Sequence, residues 1–307
     1  MSLKLCSVSV DVDGIDHYHA IHGLSAPDVG TAGLAHGLAV ERLIAWAKDI
    51  QIPLTWFVIG RDVSDLHFVR SLRATIEAGH EIGNHSLDHR YDLTRLSEPE
   101  QTNQVSGAQD RLEQAFGVRP LGFRAPGYTV TDTLLDIVEQ AGFTYDSSVF
   151  PCPAYYAAKA LVLLGQRVMS RRSLSILDSP SVLAAPVTPY RRGRPYTRKG
   201  DGLIEIPVQV TPWGRLPFIG TSLTAVGEAG ARLLARSLVG APLVNLELHA
   251  IDFLAADDGL QILARHQPDL RLPLLRKTRA LSAAIDVLRK ADYTFVTMAE
   301  AVRRIGI

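Results

Sequence analysis

The 307-residue chain has only two cysteines, Cys6 and Cys152. That excludes a disulfide framework and points to a reducing compartment. Net charge is also absent, with 32 basic against 32 acidic side chains. No short internal repeat or low-complexity tract interrupts the chain. Met1 to Val10 lacks a charged start, a long apolar core and a small-residue cleavage site, and passes straight into an apolar strand. The expectation is a cytoplasmic protein. The length is large for one ordinary domain but within the range of a single α/β barrel.

What is present is concentrated in a few clusters. Leu5 to Val10 reads as a buried strand that stops at Gly14, with Asp11 and Asp13 at its C-terminal end, where parallel α/β folds carry their chemistry. His85-Ser-Leu-Asp-His89 places two imidazoles at i and i+4, expected on one side of a helical turn, where both can bind one cation. A carboxylate from another element is the usual third ligand in an open catalytic site, and either Asp11 or Asp13 could supply it. Pro242 to His249 reads as a second buried strand, ending in histidine.

These clusters resemble the motifs of the polysaccharide deacetylase family (NodB-homology, carbohydrate esterase family 4), well over residues 5–150 and more loosely over 200–300. The family's first motif is Thr-Phe-Asp-Asp-Gly; Asp11-Val12-Asp13-Gly14 is similar to a cytoplasmic variant with one residue between the acids. The resemblance implies Asp13 as metal ligand and Asp11 as catalytic base, with His85 and His89 completing the metal set. The family's Arg-x-Pro-Tyr corresponds to Arg124-Ala125-Pro126-Gly127, with Tyr128 one place later. By resemblance Arg124 pairs with Asp11 and keeps it ionised, and Gly127 offers a backbone N–H to an oxyanion. Leu246-Glu-Leu-His249 stands for the family's last motif, with His249 as general acid. Its orienting partner has no clean match, and Asp252 is a candidate by proximity alone.

The activity so implied is hydrolysis of an N-acyl amide, most readily N-acetyl, on an amino sugar of an envelope-precursor pathway. The ligand set suits one divalent transition metal, zinc first, with cobalt, nickel and manganese also accommodated. Related readings are an N-deformylase of a lipid-linked aminosugar, a cyclic amide or imide hydrolase, and a non-catalytic glycan- or lipid-binding relative. The last has no need of both an acid and a base.

The chain alternates strand and helix. Expected helices run from Gly37 to Asp49, Leu66 to Ala78, Ser97 to about Phe116 and Thr131 to Gln140, then near 222–238 and 275–290. Expected strands are Leu54 to Ile59, Pro120 to Phe123, Phe143 to Asp146, Leu203 to Val210 and Tyr293 to Val296. The fold expected is α/β, a distorted (β/α)7-type barrel spanning 1–307 as one domain, with an inserted basic and apolar segment at about 151–200. That segment has nine basic residues (Lys159, Arg167, Arg171, Arg172, Arg191, Arg192, Arg194, Arg198 and Lys199) against Asp178 alone. It suggests contact with an anionic lipid carrier, a nucleotide-linked substrate or the inner membrane face. Its apolar run, Tyr155 to Gly165, is too short to span a bilayer, and no nucleic-acid-binding module is recognisable.

Two further stretches are expected over the metal face. The segment 15–36, read as a loop, has His17, Tyr18, His19 and His22, placed to line a substrate groove or to form a second metal site. Trp213 and Phe218, in Thr211 to Gly220, are expected to stack on substrate.

Overall fold

A computed structural model of the chain describes residues 3–168, 176–177 and 179–307. Nine strands form one sheet: β1 (Leu5–Asp11), β2 (Leu54–Val58), β3 (Glu81–Asn84), β4 (Gly122–Phe123), β5 (Tyr145–Asp146), β6 (Tyr190–Arg192), β7 (Lys199–Glu205), β8 (Leu243–His249) and β9 (Thr294–Phe295). The order is β6-β7-β5-β4-β3-β2-β1-β8, with β9 beside β1. All pairings are parallel except β6 with β7. Among the described residues, ten helices accompany them: α1 (Ile15–Ile21), α2 (Val29–Ala32), α3 (Val40–Asp49), α4 (Leu66–Glu77), α5 (Glu98–Phe116), α6 (Asp132–Gln140), α7 (Pro153–Val168), α8 (Gly220–Ser237), α9 (Leu274–Lys290) and α10 (Met298–Ile305).

The seven parallel strands from β7 to β8 curl into the distorted half-barrel that the alternation anticipates. The seam between β7 and β8 has no strand ladder. Residues 206–219 fill it: Asn245 Nδ2 donates to the Pro207 carbonyl at 3.1 Å, and Ile219 forms an isolated bridge with Glu247. This explains why β7 ends at Glu205 rather than Val210, since Pro207 has no N–H to continue a ladder.

Strand alternation sorts the barrel wall into two faces. Val8 and Val10 of β1, Trp56 and Val58 of β2, and Leu246 and Leu248 of β8 point outward into one apolar core. There they meet Val40 and Leu43 of α3 and Leu281, Ile285 and Leu288 of α9. Each such buried side chain contributes roughly 1.5–3 kcal/mol. The opposite positions are polar and buried: Ser7, Ser9 and Asp11 on β1, and Asn245 and Glu247 on β8. A polar interior is unaffordable unless its groups are paired or functional.

Residues 15–36 are not a loop. Asp16 lies in the first turn of α1, the Asp28 carboxylate accepts the Thr31 N–H at 3.0 Å to cap α2, and a π-helical turn at Ala35–Ala39 leads into α3. The Ser97 N–H donates to Glu100 at 3.0 Å to start α5, which stops at left-handed Gly117. Within the basic segment, β6 and β7 form a hairpin clamped onto α6. Arg192 lies 2.7 Å from Asp136 and 2.5 Å from Glu139, and Arg194 also pairs with Asp136. Arg192 and Arg194 are thus answered by acids of α6, while Arg191, Arg198 and Lys199 of the same hairpin remain exposed. Arg171, Arg172 and Asp178 lie outside the described residues. Among the described residues, no helix is long and apolar enough to cross a membrane.

Candidate metal centre and active site

The in-register pairing of β1 with β8 puts Asp11 opposite His249, at the C-terminal edge of the barrel. Asp13 follows two residues after β1 ends, and β3 delivers His85 and His89 to the same edge. The His85–His89 segment is not a helical turn. It is a loop in which Ser86 (φ 64°) and His89 (φ 53°) both adopt left-handed backbone, held by local bonds. Asn84 Oδ1 accepts the Ser86 N–H at 2.8 Å, and Ser86 Oγ accepts the His89 N–H at 3.1 Å. Such conformations cost on the order of 1–3 kcal/mol each and persist where the surroundings impose them.

The result is a convergent ligand set. Asp13 Oδ1 lies 3.4 Å from His85 Nε2 and 3.3 Å from His89 Nε2. His85 Nδ1 donates to the Arg124 carbonyl at 2.7 Å, which leaves Nε2 as the lone-pair nitrogen of the neutral ring facing the cluster. Asp13 Oδ1 and both ring nitrogens of His89 are buried without a hydrogen-bond partner. Buried orphaned donor atoms of two imidazoles and one carboxylate fit a divalent transition metal, with room for further ligands from solvent or substrate. Behind this set the His17 ring packs 4.3 Å from His89 and sits 2.8 Å from the Arg61 guanidinium. His17 therefore supports a ligand rather than lining the groove.

Arg124 is wholly buried and fully engaged. It lies 2.5 Å from Asp11 Oδ1, donates to the Ser147 carbonyl and to Ser9 Oγ at 2.8 and 2.9 Å, and stacks on the Phe57 ring. Burial nevertheless outweighs Arg124 and His85, and Asp11's carboxyl lies above its usual range. Burial also works against Asp13's ionisation, but His89, His85 and His249 overcome it and hold that carboxyl well below the usual range.

His249 finds a partner that its motif did not suggest. Glu247 Oε1 lies 2.8 Å from His249 Nδ1, while Asp252 meets His249 through the backbone N–H, at 2.9 Å, and also accepts from the Thr221 hydroxyl. Asp252 is thus a backbone anchor, seated where Gly220 lets it approach; a Cβ at Gly220 would fall 2.0 Å from its carboxylate. Burial opposes the charged imidazolium, but Glu247, Asp11 and Asp13 raise His249 well above its ordinary value. Its Nε2 faces Asp11 Oδ2 at 4.0 Å and Asp13 Oδ2 at 3.9 Å.

Gly127 is left-handed (φ 62°), and a Cβ there would lie 2.9 Å from the Tyr91 ring. Tyr91 occupies the space a side chain at 127 would need. The neighbouring Tyr128 hydroxyl lies 3.4 Å from His249 Nε2. A cleft of about 460 Å³ opens over the cluster, lined among others by Tyr18, Tyr91, Tyr128, Tyr155, Ile219 and Ile251. Neither loop aromatic is part of it. Trp213 is 87% exposed on its turn, and Phe218 is buried in the apolar core. The proposed second metal site is not formed: His19 bonds the Ser25 carbonyl and His22 bonds Gln267, and among the described residues the only clusters with ligand spacing are Asp13/His85/His89 and Asp11/Glu247/His249. The second of these has its own internal partners in Arg124 and the Glu247–His249 pair.

Comparison with known proteins agrees with this geometry. Residues 36–145 match the family model for polysaccharide deacetylase. A peptidoglycan deacetylase of Helicobacter pylori is 25% identical over 147 residues, covering 47% of this chain and 49% of that protein. The peptidoglycan deacetylase-like protein FGM2 of Gibberella zeae is 30% identical over 147 residues, 46% of this chain and 43% of that one. The chain thus spans about half the length of these relatives or less. In fold, a Mycobacterium smegmatis structure assigned to the polysaccharide deacetylases superposes with a TM-score of 0.61 at 20% identity, over 99% of this chain and 91% of that one. Residues 36–145 are thus similar to the polysaccharide deacetylases, and the chain shares the fold of a structure of that kind.

Proposed function

We propose that this chain is a metal-dependent hydrolase of an N-acyl amide, N-acetyl in the first instance, on an amino sugar presented on a lipid or nucleotide carrier. The observation that carries the proposal is a pair of oppositely charged, oppositely braced groups beside one orphaned ligand set: Asp11 against Arg124, and His249 against Glu247. A divalent cation, zinc first, would be held by Asp13, His85 and His89 and would supply Lewis-acid polarisation and an activated water. The remaining steps belong to side chains. Asp11 Oδ1 is tied to Arg124, so Oδ2 takes the proton from the attacking water. His249, kept charged by Glu247, presents Nε2 to protonate the departing amine, and Gly127, which lines the cleft, would offer its N–H to the developing oxyanion. A bond whose cleavage needs both a base and an acid accounts for why both are retained.

In this reading the chain is one domain with residues 151–200 inserted, acting in the cytoplasm near the inner membrane face. Free, buried Cys6 and Cys152 suit a reducing compartment. The test is metal content of the purified protein and of His85→Ala, with release of formate or acetate from N-formyl and N-acetyl amino sugars. About one equivalent of transition metal lost in the variant, together with acyl release, supports the proposal. Absence of metal after reconstitution overturns it.

A further inference from the structure

The cleft over the ligand set is walled by apolar side chains to an extent that a polar sugar does not require. One wall is α7, from the inserted segment, whose Ala154, Tyr155, Ala158, Lys159 and Leu163 recur at helical spacing and all face the cavity. The facing wall is built from Ile21 of α1 with Pro217, Ile219 and Ile251. Among the described residues, Lys159 is the one cationic side chain of that lining outside the histidines, and it donates to the Gly127 carbonyl at 3.1 Å.

We infer that the cleft takes an apolar chain borne by the substrate, seated between α7 and the Ile219–Ile251 wall while the amide lies at the ligand set. This rests on the reading of the site as an amide hydrolase of amino sugars, and it selects a lipid-like over a nucleotide-like substrate. The chain could be attached at the anomeric carbon or could be the acyl group itself. Burying each methylene strengthens binding roughly fourfold when fully desolvated, so even a half-open cleft separates a methyl from a hexyl group by on the order of 10- to 100-fold.

The experiment uses the full chain loaded with zinc and four compounds: the methyl and hexyl glycosides of N-acetylglucosamine, and the N-acetyl and N-hexanoyl forms of the free amino sugar. Binding is read by calorimetry and turnover by amine release. Tighter binding of the hexyl glycoside places the chain at the anomeric carbon, and tighter binding of the N-hexanoyl sugar places it on the acyl side; either supports the inference. Affinities within threefold throughout overturn it, even if all four compounds are hydrolysed. Chain-dependent binding without hydrolysis leaves the cleft inference standing and removes the catalytic reading instead. Ala158→Asp, at an exposed position on the cleft side of α7, is expected to weaken the preferred hexyl ligand at least tenfold. Ala157→Asp, on the other side of the helix, is expected to change it less than twofold. Equal effects of the two substitutions would also overturn the inference.

Discussion

Glu247 and His249 lie two residues apart on β8 and project to the same face of the barrel, with Glu247 Oε1 2.8 Å from His249 Nδ1. The carboxylate is wholly buried and has no cation closer than that ring to answer it. Its charge therefore does two things: it fixes which nitrogen points at the substrate, and it keeps the ring protonated. Glu247→Gln keeps an acceptor at Nδ1 but removes the charge. The expected result is a fall in kcat of roughly 10²-fold or more, with KM and metal content nearly unchanged. A parallel loss of bound metal would show instead that Glu247 serves the ligand set.

Trp213 and Phe218 make a second, sharper contrast. Both belong to one apolar run, yet Trp213 is solvent-exposed and Phe218 is sealed in the core beneath α8. Trp213→Ala is expected to shift stability by no more than about 0.5 kcal/mol and turnover by less than about twofold. Phe218→Ala opens a core cavity and is expected to cost about 3–5 kcal/mol in urea titrations. A large loss of substrate affinity in Trp213→Ala would restore the stacking role that its sequence context suggests.

Those two residues also show where the sequence was and was not readable. Asp11, Asp13, His85, His89, Arg124 and His249 converge because each sits at or just past a strand end, and strand ends are visible in apolar runs. The Glu247 partnership was equally visible, since residues two apart on a strand share a face; nearness in sequence to Asp252 pointed the wrong way. The conformation of His85–His89 was not visible. An i, i+4 spacing fits a helix, and what defeats the helix is Asn84 and Ser86 bonding the backbone into left-handed turns. Nor does any motif report that α7 of the inserted segment would roof the site, or that Arg192 would turn inward onto Asp136 and Glu139. Both depend on contacts between elements far apart in the chain.

Asp146 and Glu205 face one another across β5 and β7, and the pair is buried. Burial, then the neighbouring Asp146 charge, pushes Glu205 well above its ordinary 4.5, and burial raises Asp146 as well. Two acids so raised are expected to share a proton, and each also accepts one local bond: Ser148 Oγ donates to Asp146 at 2.7 Å and Val149 N–H donates to Glu205 at 3.0 Å. A carboxyl raised in the folded state stabilises fully below its unfolded value and loses that contribution as pH rises through its folded value. Glu205→Gln can donate to Asp146 without a titrating proton. Its stability relative to the parent chain is thus expected to improve as pH rises above the ordinary glutamate range, read from urea midpoints. A difference that stays constant with pH would mean that the two carboxyls do not share a proton.

The last prediction concerns the group on which the polar interior depends. Arg124 has no solvent contact and bonds Asp11, Ser9 and Ser147 at once. The β4–β5 side of the barrel is thereby tied across to β1. Removing one member of a buried ion pair leaves the other charge unanswered, which costs about 3–5 kcal/mol, whereas removing both together is often far milder. Arg124→Met should fall in that range by urea denaturation. Arg124→Met with Asp11→Asn should recover at least about 1 kcal/mol of the loss, although both residues have been changed. Strict additivity of the two single substitutions would mean that the 2.5 Å contact contributes no coupling to stability. Arg124 would then matter for its bonds to Ser9 and Ser147 alone. Activity separates the roles further: the double variant regains stability yet stays inactive, because the proton acceptor is gone.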